Sequence, residues 1–155
     1  MRKLIVACLL LSLALGSTVV ALDGKKAMYV GGTITTKLAE KTEGRLNTDD
    51  ESNMIFIPDK GEPVPMPYAR IKSFEYGQRA SFRTKTAIFV SPFSLFSKSR
   101  RHFYSFLFDD ADGKEQGIIL QVGKDLVRPL KMVLEVRTGK ELTYQDEEAK
   151  KNFAK

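Results

Sequence analysis

The sequence predicts an α+β protein in which six or seven mainly antiparallel strands precede one C-terminal amphipathic helix. Residues 81–90 alternate in the period of a β-strand, and residues 102–108 alternate again, although both faces of that stretch are apolar. The dipeptide Asp112-Gly113 then gives a strong hairpin signal before the next apolar run. Beyond it the apolar period changes from 2 to about 3.6, which marks the change from strands to a helix.

In the first half of the chain, short runs of β-forming residues predict strands at 27–36, 44–48, 54–57 and 71–76. The pair Gly31-Gly32 lies inside the first of these and indicates a bulge or a close backbone approach. The third strand stops at Pro58. Residues 59–67 contain three prolines, so they are expected to form a loop or an edge crossing.

In the second half, strands are predicted at 81–90, 102–108 and 115–122. The first of them ends at Ser91-Pro92, and the other two are joined by the turn at 109–114. The helix is predicted from a stripe of apolar residues at helical spacing, formed by Leu126, Leu130, Val133 and Leu134.

Local signals predict where this helix begins and ends. Asp125 is a suitable N-cap, Arg137 falls in the last turn, and Gly139 follows as a stop signal. Residues 142–144 are expected to form a short extended piece. The charged residues 146–155 are expected to form a flexible tail.

The N-terminus has the pattern of a secretory signal peptide. Residues 1–3 are cationic, residues 4–15 are apolar, and Val19 and Ala21 place small side chains at the −3 and −1 positions, which predicts cleavage after Ala21 and export to the periplasm or beyond. An uncleaved membrane anchor is the alternative, because residues 4–22 carry no charge and approach the ~20 residues that span a bilayer.

The predicted cleavage would leave 134 residues, the 155 of the chain minus 21, and would remove the only cysteine, Cys8. Disulfides, thiolate catalysis and cysteine-bound metals are then excluded. This length is expected to form one domain around an ordinary hydrophobic core. The predicted organisation is therefore a signal peptide at 1–21, a single domain at 22–145 and the tail at 146–155.

Residues 79–102, which we name the basic-aromatic segment, contain six Lys and Arg residues but no Asp or Glu. Removing those six from the 25 basic residues of the chain leaves 19, which equals the number of acidic residues, so this segment carries the whole formal charge of +6. Its centre, residues 86–97, is uncharged and contains three Phe. The candidate binding residues are Arg79, Arg83, Lys85, Phe93, Leu95, Phe96, Lys98, Arg100, Arg101 and His102.

The segment allows two interpretations. In the structural one, residues 82–90 form a core strand, residues 93–96 fold over the mouth of a barrel, and the cations are solvated. In the functional one, residues 91–96 form an exposed apolar tip that enters a membrane interface or a partner's groove, while the cations meet anionic lipid or an acidic surface. Nucleic acid also fits the charge, but it is not an expected ligand of an exported protein.

Catalytic and metal sites are not predicted. His102 is the only histidine, which excludes a site built on two histidines of one chain, and no recognised motif pairs it with a nucleophile, so an ordinary strand residue is favoured over a general base. The acidic run 109–112 resembles a calcium loop, but Phe108 and Ile119 stand where an EF-hand requires an Asp or Asn and a Glu. A hairpin turn is favoured there, and no cofactor is expected.

Three stretches resemble the pleckstrin-homology (PH) superfold, in particular the PH-like and GRAM-like domains of small secreted bacterial proteins. These stretches are residues 66–77 (MPYARIKSFEYG), 100–122 (RRHFYSFLFDDADGKEQGIILQV) and 134–140 (LEVRTGK). The resemblance implies a partly open barrel closed by the C-terminal helix. It also implies a binding or scaffolding module more often than an enzyme.

The function expected from the sequence is that of a non-enzymatic exported binding module. Its basic-aromatic segment would engage a membrane surface or an acidic protein partner. The alternative is a structural or assembly subunit in which the same segment is buried in an oligomer interface. The sequence leaves the oligomeric state open.

Overall fold

The fold is α+β, and most of it is an eight-stranded sheet curled into a half-barrel. The computed structural model describes residues 25–34, 37–83, 88–90 and 101–154. The predicted signal peptide and the alternative anchor lie outside these residues. The strands of the sheet are β1 Lys25–Gly32, β2 Thr42–Asn47, β3 Asn53–Pro58, β4 Val64–Pro67, β5 Ile71–Gly77, β8 His102–Asp109, β9 Glu115–Val122 and β10 Thr143–Tyr144.

The strands follow the order β10-β5-β8-β9-β1-β2-β3-β4. All neighbours are antiparallel except β10 and β5, which run parallel, so the expectation of antiparallel pairing is correct for most of the sheet and wrong at this edge. The proline-rich stretch ends in an edge strand, β4, because an edge tolerates the missing N–H donors of Pro65 and Pro67.

The turn at 109–114 is the hairpin that the sequence predicts. It joins β8 to β9 in continuous antiparallel register from His102↔Val122 to Asp109↔Glu115. Gly113 adopts a φ of 76°, which an L-residue rarely tolerates. The predicted bulge is also present, between Tyr29 and Gly31 of β1. A Cβ on Gly32 would lie 2.2 Å from the carbonyl oxygen of Gly117, so the close approach of β1 and β9 requires glycine there.

The inner face of the half-barrel holds the main core. Alternate residues of β8 and β9 point into it and are almost fully buried, namely Tyr104, Phe106, Phe108, Ile118, Leu120 and Val122. Helix α1, Lys124–Thr138, packs on this face through Leu126, Val127, Leu130 and Leu134. The burial predicted for the apolar stripe is confirmed for its three leucines, and Val133 is partly buried against the same core.

The ends of α1 correct one prediction and confirm another. The N-cap is Gly123 rather than Asp125, and Asp125 lies in the first turn, where a carboxylate favours the helix dipole. Gly139 ends the helix in the left-handed conformation, as predicted. Arg137 does more than occupy the last turn, because its Nη1 donates to the carbonyl oxygens of Thr48 and Asp50 and to the hydroxyl of Tyr68.

The outer face carries a second, smaller core. Val30, Ala80, Phe103 and Ile119 are buried together there. Residues 81–90 do not form the single predicted strand. They pair as a separate two-stranded hairpin, β6 Ser81–Arg83 with β7 Ile88–Val90, in which Ser81 is opposite Val90. The hydroxyl of Ser105 donates to the carbonyl oxygen of Ser81 (3.0 Å), which ties β6 to the outer face of β8.

The end of the chain is ordered where a flexible tail was predicted. Residues Glu147–Ala154 form a second helix, α2. Ala149 is buried in the main core and Phe153 packs against it, so these two apolar side chains, four positions apart, hold a helix whose other face is charged. Among the described residues, no helix has the length and apolar character needed to cross a bilayer.

Candidate functional site

The structure describes the predicted binding segment at its two ends. Arg79 is exposed, Arg101 and His102 are half-buried, and Arg83 is described only as a backbone position in β6. The placement of the others remains a prediction, because they lie outside the described residues: Lys85, Phe93, Leu95, Phe96, Lys98 and Arg100.

The basic-aromatic segment leaves and rejoins the sheet at the same end. It follows β5, which ends at Gly77, and it returns at β8, where Phe103 pairs with Gly77. Helix α1 begins at this end as well, because Val122, the last residue of β9, pairs with His102. The strand register therefore brings the start of the segment, its end and the first turn of α1 together.

Gln145 holds the first residues of the segment in place. Its backbone N–H donates to the carbonyl oxygen of Tyr76 (2.9 Å). Its side-chain amide accepts from the Arg79 N–H (3.2 Å) and donates to the Arg79 carbonyl (3.3 Å) and to the Ser81 hydroxyl (2.5 Å). A Cβ on Gly77 would lie 2.5 Å from the Gln145 amide oxygen, so this clasp depends on glycine at that position.

At the other end of the segment, consecutive residues face opposite sides of the sheet. Arg101 donates through Nη1 to the side-chain oxygen of Gln121 (3.2 Å), which lies opposite Phe103 in the register of the outer face. His102 instead joins Tyr76 on the inner side. The two basic residues that the sequence grouped together therefore belong to two different surfaces.

His102 forms a close pair with Tyr76. The Tyr76 hydroxyl and His102 Nδ1 are 2.6 Å apart, and the two rings stack with centroids 5.9 Å apart. Burial, and secondarily the charge of Lys124, lowers the pKa of His102 below its ordinary value, which favours the neutral imidazole at pH 7. Burial raises the pKa of the Tyr76 phenol, so the hydroxyl keeps its proton.

Tyr76 is also the centre of an aromatic cluster. Its ring meets Tyr104, Tyr144 and Phe153 edge-on, with centroid distances of 5.7, 6.4 and 5.2 Å. The buried hydroxyl of Tyr104 donates to the carbonyl oxygen of Val127 (2.7 Å). The cluster thus joins β5, β8, β10 and both helices at the end of the sheet where the segment emerges.

Beside this pair lies a cavity of about 610 Å³, which we name the His102 cavity. One wall is the start of α1, and the opposite wall is the end of α2 with Asn152 and Phe153. The charged residues on its lining are Lys124, Asp125 and Arg128. The apolar and aromatic lining is provided by Tyr76, Val127, Pro129 and Phe153.

A second cavity, of about 420 Å³, lies beside β1 and β2. Two basic side chains, Lys26 and Arg45, line it together with two acidic ones, Glu43 and Asp59. The described part of the lining therefore carries equal numbers of positive and negative side chains.

The acidic turn at 109–114 is held by its own hydrogen bonds. The Asp110 carboxylate accepts from the backbone N–H groups of Asp112 (3.0 Å) and Lys114 (2.9 Å) and from the Gln116 amide (2.8 Å). These bonds, led by that of Gln116, lower the pKa of Asp110. Within the described parts of the chain, no group of three His, Cys, Asp or Glu side chains is arranged to hold a metal ion.

Sequence reasoning missed the residues that complete this region: Tyr76, Lys124, Arg128, Gln145, Asn152 and Phe153. Lys124 precedes the predicted N-cap Asp125. Only the observed start of α1 at Lys124 places it on the same side of the helix as Arg128, four residues later. The role of α2 had no local signal either, since its contacts with Tyr76 and Gln78 join it to residues more than seventy positions earlier.

No family model matches the chain, and no curated protein matches it significantly.

Proposed function

We propose that this protein is an exported, non-enzymatic binding module. Its basic-aromatic segment engages an anionic membrane surface. The alternative ligand of the same segment is an acidic protein partner. The half-barrel with a helix on its inner face supports a PH-like scaffold, from which the parallel edge strand β10 and helix α2 are departures. Export follows from the signal-peptide pattern at residues 1–21.

The observation that carries the proposal is the clustering of cations at one end of the sheet. Arg79 follows β5, Arg101 precedes β8 on the outer side, and Lys124 and Arg128 begin α1 on the inner side. The register brings these chain positions to the same end of the sheet. Positive charges that approach one surface together add their attractions to it. Near an anionic membrane each is worth about 1 kcal/mol.

The apolar centre of the segment supports a membrane surface over a purely electrostatic partner. Six cations supply a salt-sensitive attraction, and burying about two Phe side chains would add roughly 2 kcal/mol each. The non-enzymatic part of the proposal rests on His102, whose ring nitrogen pairs with a tyrosine and not with a serine or a carboxylate.

Co-sedimentation with lipid vesicles tests the proposal. The protein should bind vesicles that contain phosphatidylglycerol and not vesicles of phosphatidylcholine alone. Binding should weaken with salt, because the Debye length shrinks from about 10 Å at 0.1 M to about 3 Å at 1 M. The double variant Phe93→Ser with Phe96→Ser should lose binding while its melting temperature stays near that of the wild type.

A matched control is available on α1, where Met132 and Val136 are exposed by 67% and 83%. The double variant Met132→Ser with Val136→Ser removes exposed apolar side chains elsewhere and should keep vesicle binding. If the wild type ignores anionic vesicles and the Phe93/Phe96 variant melts much earlier, the segment is core and the proposal is wrong. Normal stability with loss of an oligomer in light scattering would instead identify an assembly interface.

A further inference from the structure

The His102 cavity combines an apolar floor with a polar rim. Tyr76 is fully buried and Val127 is 4% exposed, while Pro129 and Phe153 are half-buried beside them. Its volume of about 610 Å³ lies within the 300–1,000 Å³ that is typical of small-molecule sites. An apolar cavity of this size, with a few polar groups on one side, has the general form of a site for an amphiphilic ligand.

The rim is predominantly cationic. Lys124 and Arg128 are exposed and lie four residues apart at the start of α1, and Asp125 is the acidic residue among the described residues of the lining. Arg128 donates through Nη2 to the carbonyl oxygen of Ala154 (2.8 Å), which uses one of the five guanidinium donors. Lys124 makes no hydrogen bond or ion pair with the rest of the described chain. Both cations therefore retain donors for a ligand anion.

His102 adds a neutral donor to the rim. Burial raises the pKa of the Tyr76 phenol, which keeps the proton, and this hydroxyl makes no other hydrogen bond with the described residues; we therefore assign it as the donor to Nδ1. A neutral imidazole that accepts at Nδ1 carries its hydrogen on Nε2. The Nε2–H group then suits an oxygen acceptor of a ligand.

We propose that the His102 cavity binds a small amphiphilic anion, in which a carboxylate or phosphate group is joined to an apolar body. The anionic group contacts Lys124, Arg128 and the Nε2–H of His102. The apolar body lies against Tyr76 and Phe153. This proposal does not depend on the proposed surface binding, because it is argued from described residues that lie outside the predicted tip at 91–96.

Isothermal titration calorimetry with octanoate tests this site. Octanoate carries both the anion and the apolar body, acetate carries only the anion, and 1-octanol carries only the body. Octanoate should bind the full mature chain with a Kd in the millimolar range or below, and at least about tenfold more tightly than either control, a difference of about 1.4 kcal/mol. The ring signals of His102 and Phe153 should shift in NMR spectra during the titration.

Lys124→Gln should weaken octanoate binding about tenfold, as expected for the loss of one charge-assisted contact. Lys60→Gln removes an exposed cation from the turn between β3 and β4 and should leave binding unchanged. Arg128→Gln should resemble Lys124→Gln. Arg128→Gln also removes the hydrogen bond to Ala154, so weaker binding by that variant could reflect a loosened α2. Lys124 makes no such bond, so weaker binding by Lys124→Gln indicates the loss of a ligand contact.

The anion could belong to a free small molecule or to the headgroup of an acidic lipid, and octyl phosphate and phosphatidylglycerol vesicles separate these sources. Binding of octanoate or octyl phosphate that depends on Lys124 supports a free ligand. Vesicle binding that depends on Lys124 and shifts the His102 signals, without binding of the soluble probes, supports a headgroup. If no probe shifts His102, or if Lys124→Gln changes nothing, the proposal is wrong. The Phe93/Phe96 variant should keep octanoate binding, so failure of the surface proposal would be recognised separately.

Discussion

Replacing Leu134 with Ala measures how strongly α1 is held on the half-barrel. Leu134 is fully buried in the main core, beside the other leucines of the apolar stripe. The substitution removes three carbons from that core, worth about 0.8 kcal/mol each in transfer free energy, and it leaves a cavity that the surroundings only partly fill. The expected loss in the free energy of unfolding is therefore about 2–5 kcal/mol.

Val136→Ala is the matched control, because Val136 lies two residues further along the same helix and is 83% exposed. Its effect should stay within about 0.5 kcal/mol of zero. Urea unfolding measures both variants. With a slope of about 1–3 kcal/mol/M, a loss of 3 kcal/mol moves the midpoint by about 1–3 M. A loss below about 1 kcal/mol for Leu134→Ala, or equal losses for both variants, would show that α1 is not docked through this stripe.

Two other perturbations test other parts of the fold. Arg137→Met should lower the free energy of unfolding by roughly 1–3 kcal/mol, because the carbonyl of Thr48 and the hydroxyl of Tyr68 lose a charged donor. Lys140→Met replaces an exposed cation nearby and should leave the free energy of unfolding unchanged. Equal losses for the two variants in urea unfolding would contradict this role of Arg137. Acidification should destabilise the fold through His102, because burial lowers the pKa of this residue below the ordinary 6.5. The stability that the neutral imidazole contributes is complete above about pH 6.5 and is lost as the pH falls below that value. His102→Gln should remove this part of the pH dependence of the urea midpoint, and a midpoint that falls equally in both proteins would contradict the assignment.

Helix α1 could be predicted well because its signals are local. An apolar period of 3.6 needs only the sequence of the helix itself, and the leucines that it selected are buried. The stop at Gly139 is equally local, since a left-handed C-cap requires a glycine or a similar residue. The predicted N-cap, Asp125, lies two residues after the observed one, Gly123. An Asp suits both an N-cap and a first-turn position, so the residue type alone does not decide between them.

The hairpin of β6 and β7 could not be predicted from residues 81–90. That stretch alternates throughout and contains no Gly, Pro, Asn or Asp to mark a reversal, so its local pattern fits one long strand. What the local pattern lacks are the contacts with the outer face, where Ser105 bonds to Ser81 and Ala80 is buried in one cluster with Phe103. Such contacts join residues far apart in sequence, and a pattern read along the chain does not contain them.

The same limit explains α2. Eight residues of mixed charge are too few to form a stable helix alone, so sequence reasoning favoured a tail. The helix is held by Ala149 in the core and by the contact of Phe153 with Tyr76, which lies in a strand 77 positions earlier. The charge of the basic-aromatic segment was evident from the sequence. The residues that share its end of the sheet follow only from the strand register.

Residues just before and within α2 connect the two proposed sites. Gln145 clasps Arg79 at the start of the basic-aromatic segment, and Asn152, on the wall of the His102 cavity, donates to the side chain of Gln78 (3.1 Å). A substitution at Asn152 would therefore affect both the cavity and the residues next to Arg79, and it could not distinguish between the two sites. Lys124 lies on the rim of the His102 cavity, whereas Phe93 belongs to the basic-aromatic segment and lies outside the described residues. Variants at these two positions separate binding in the cavity from binding by the segment.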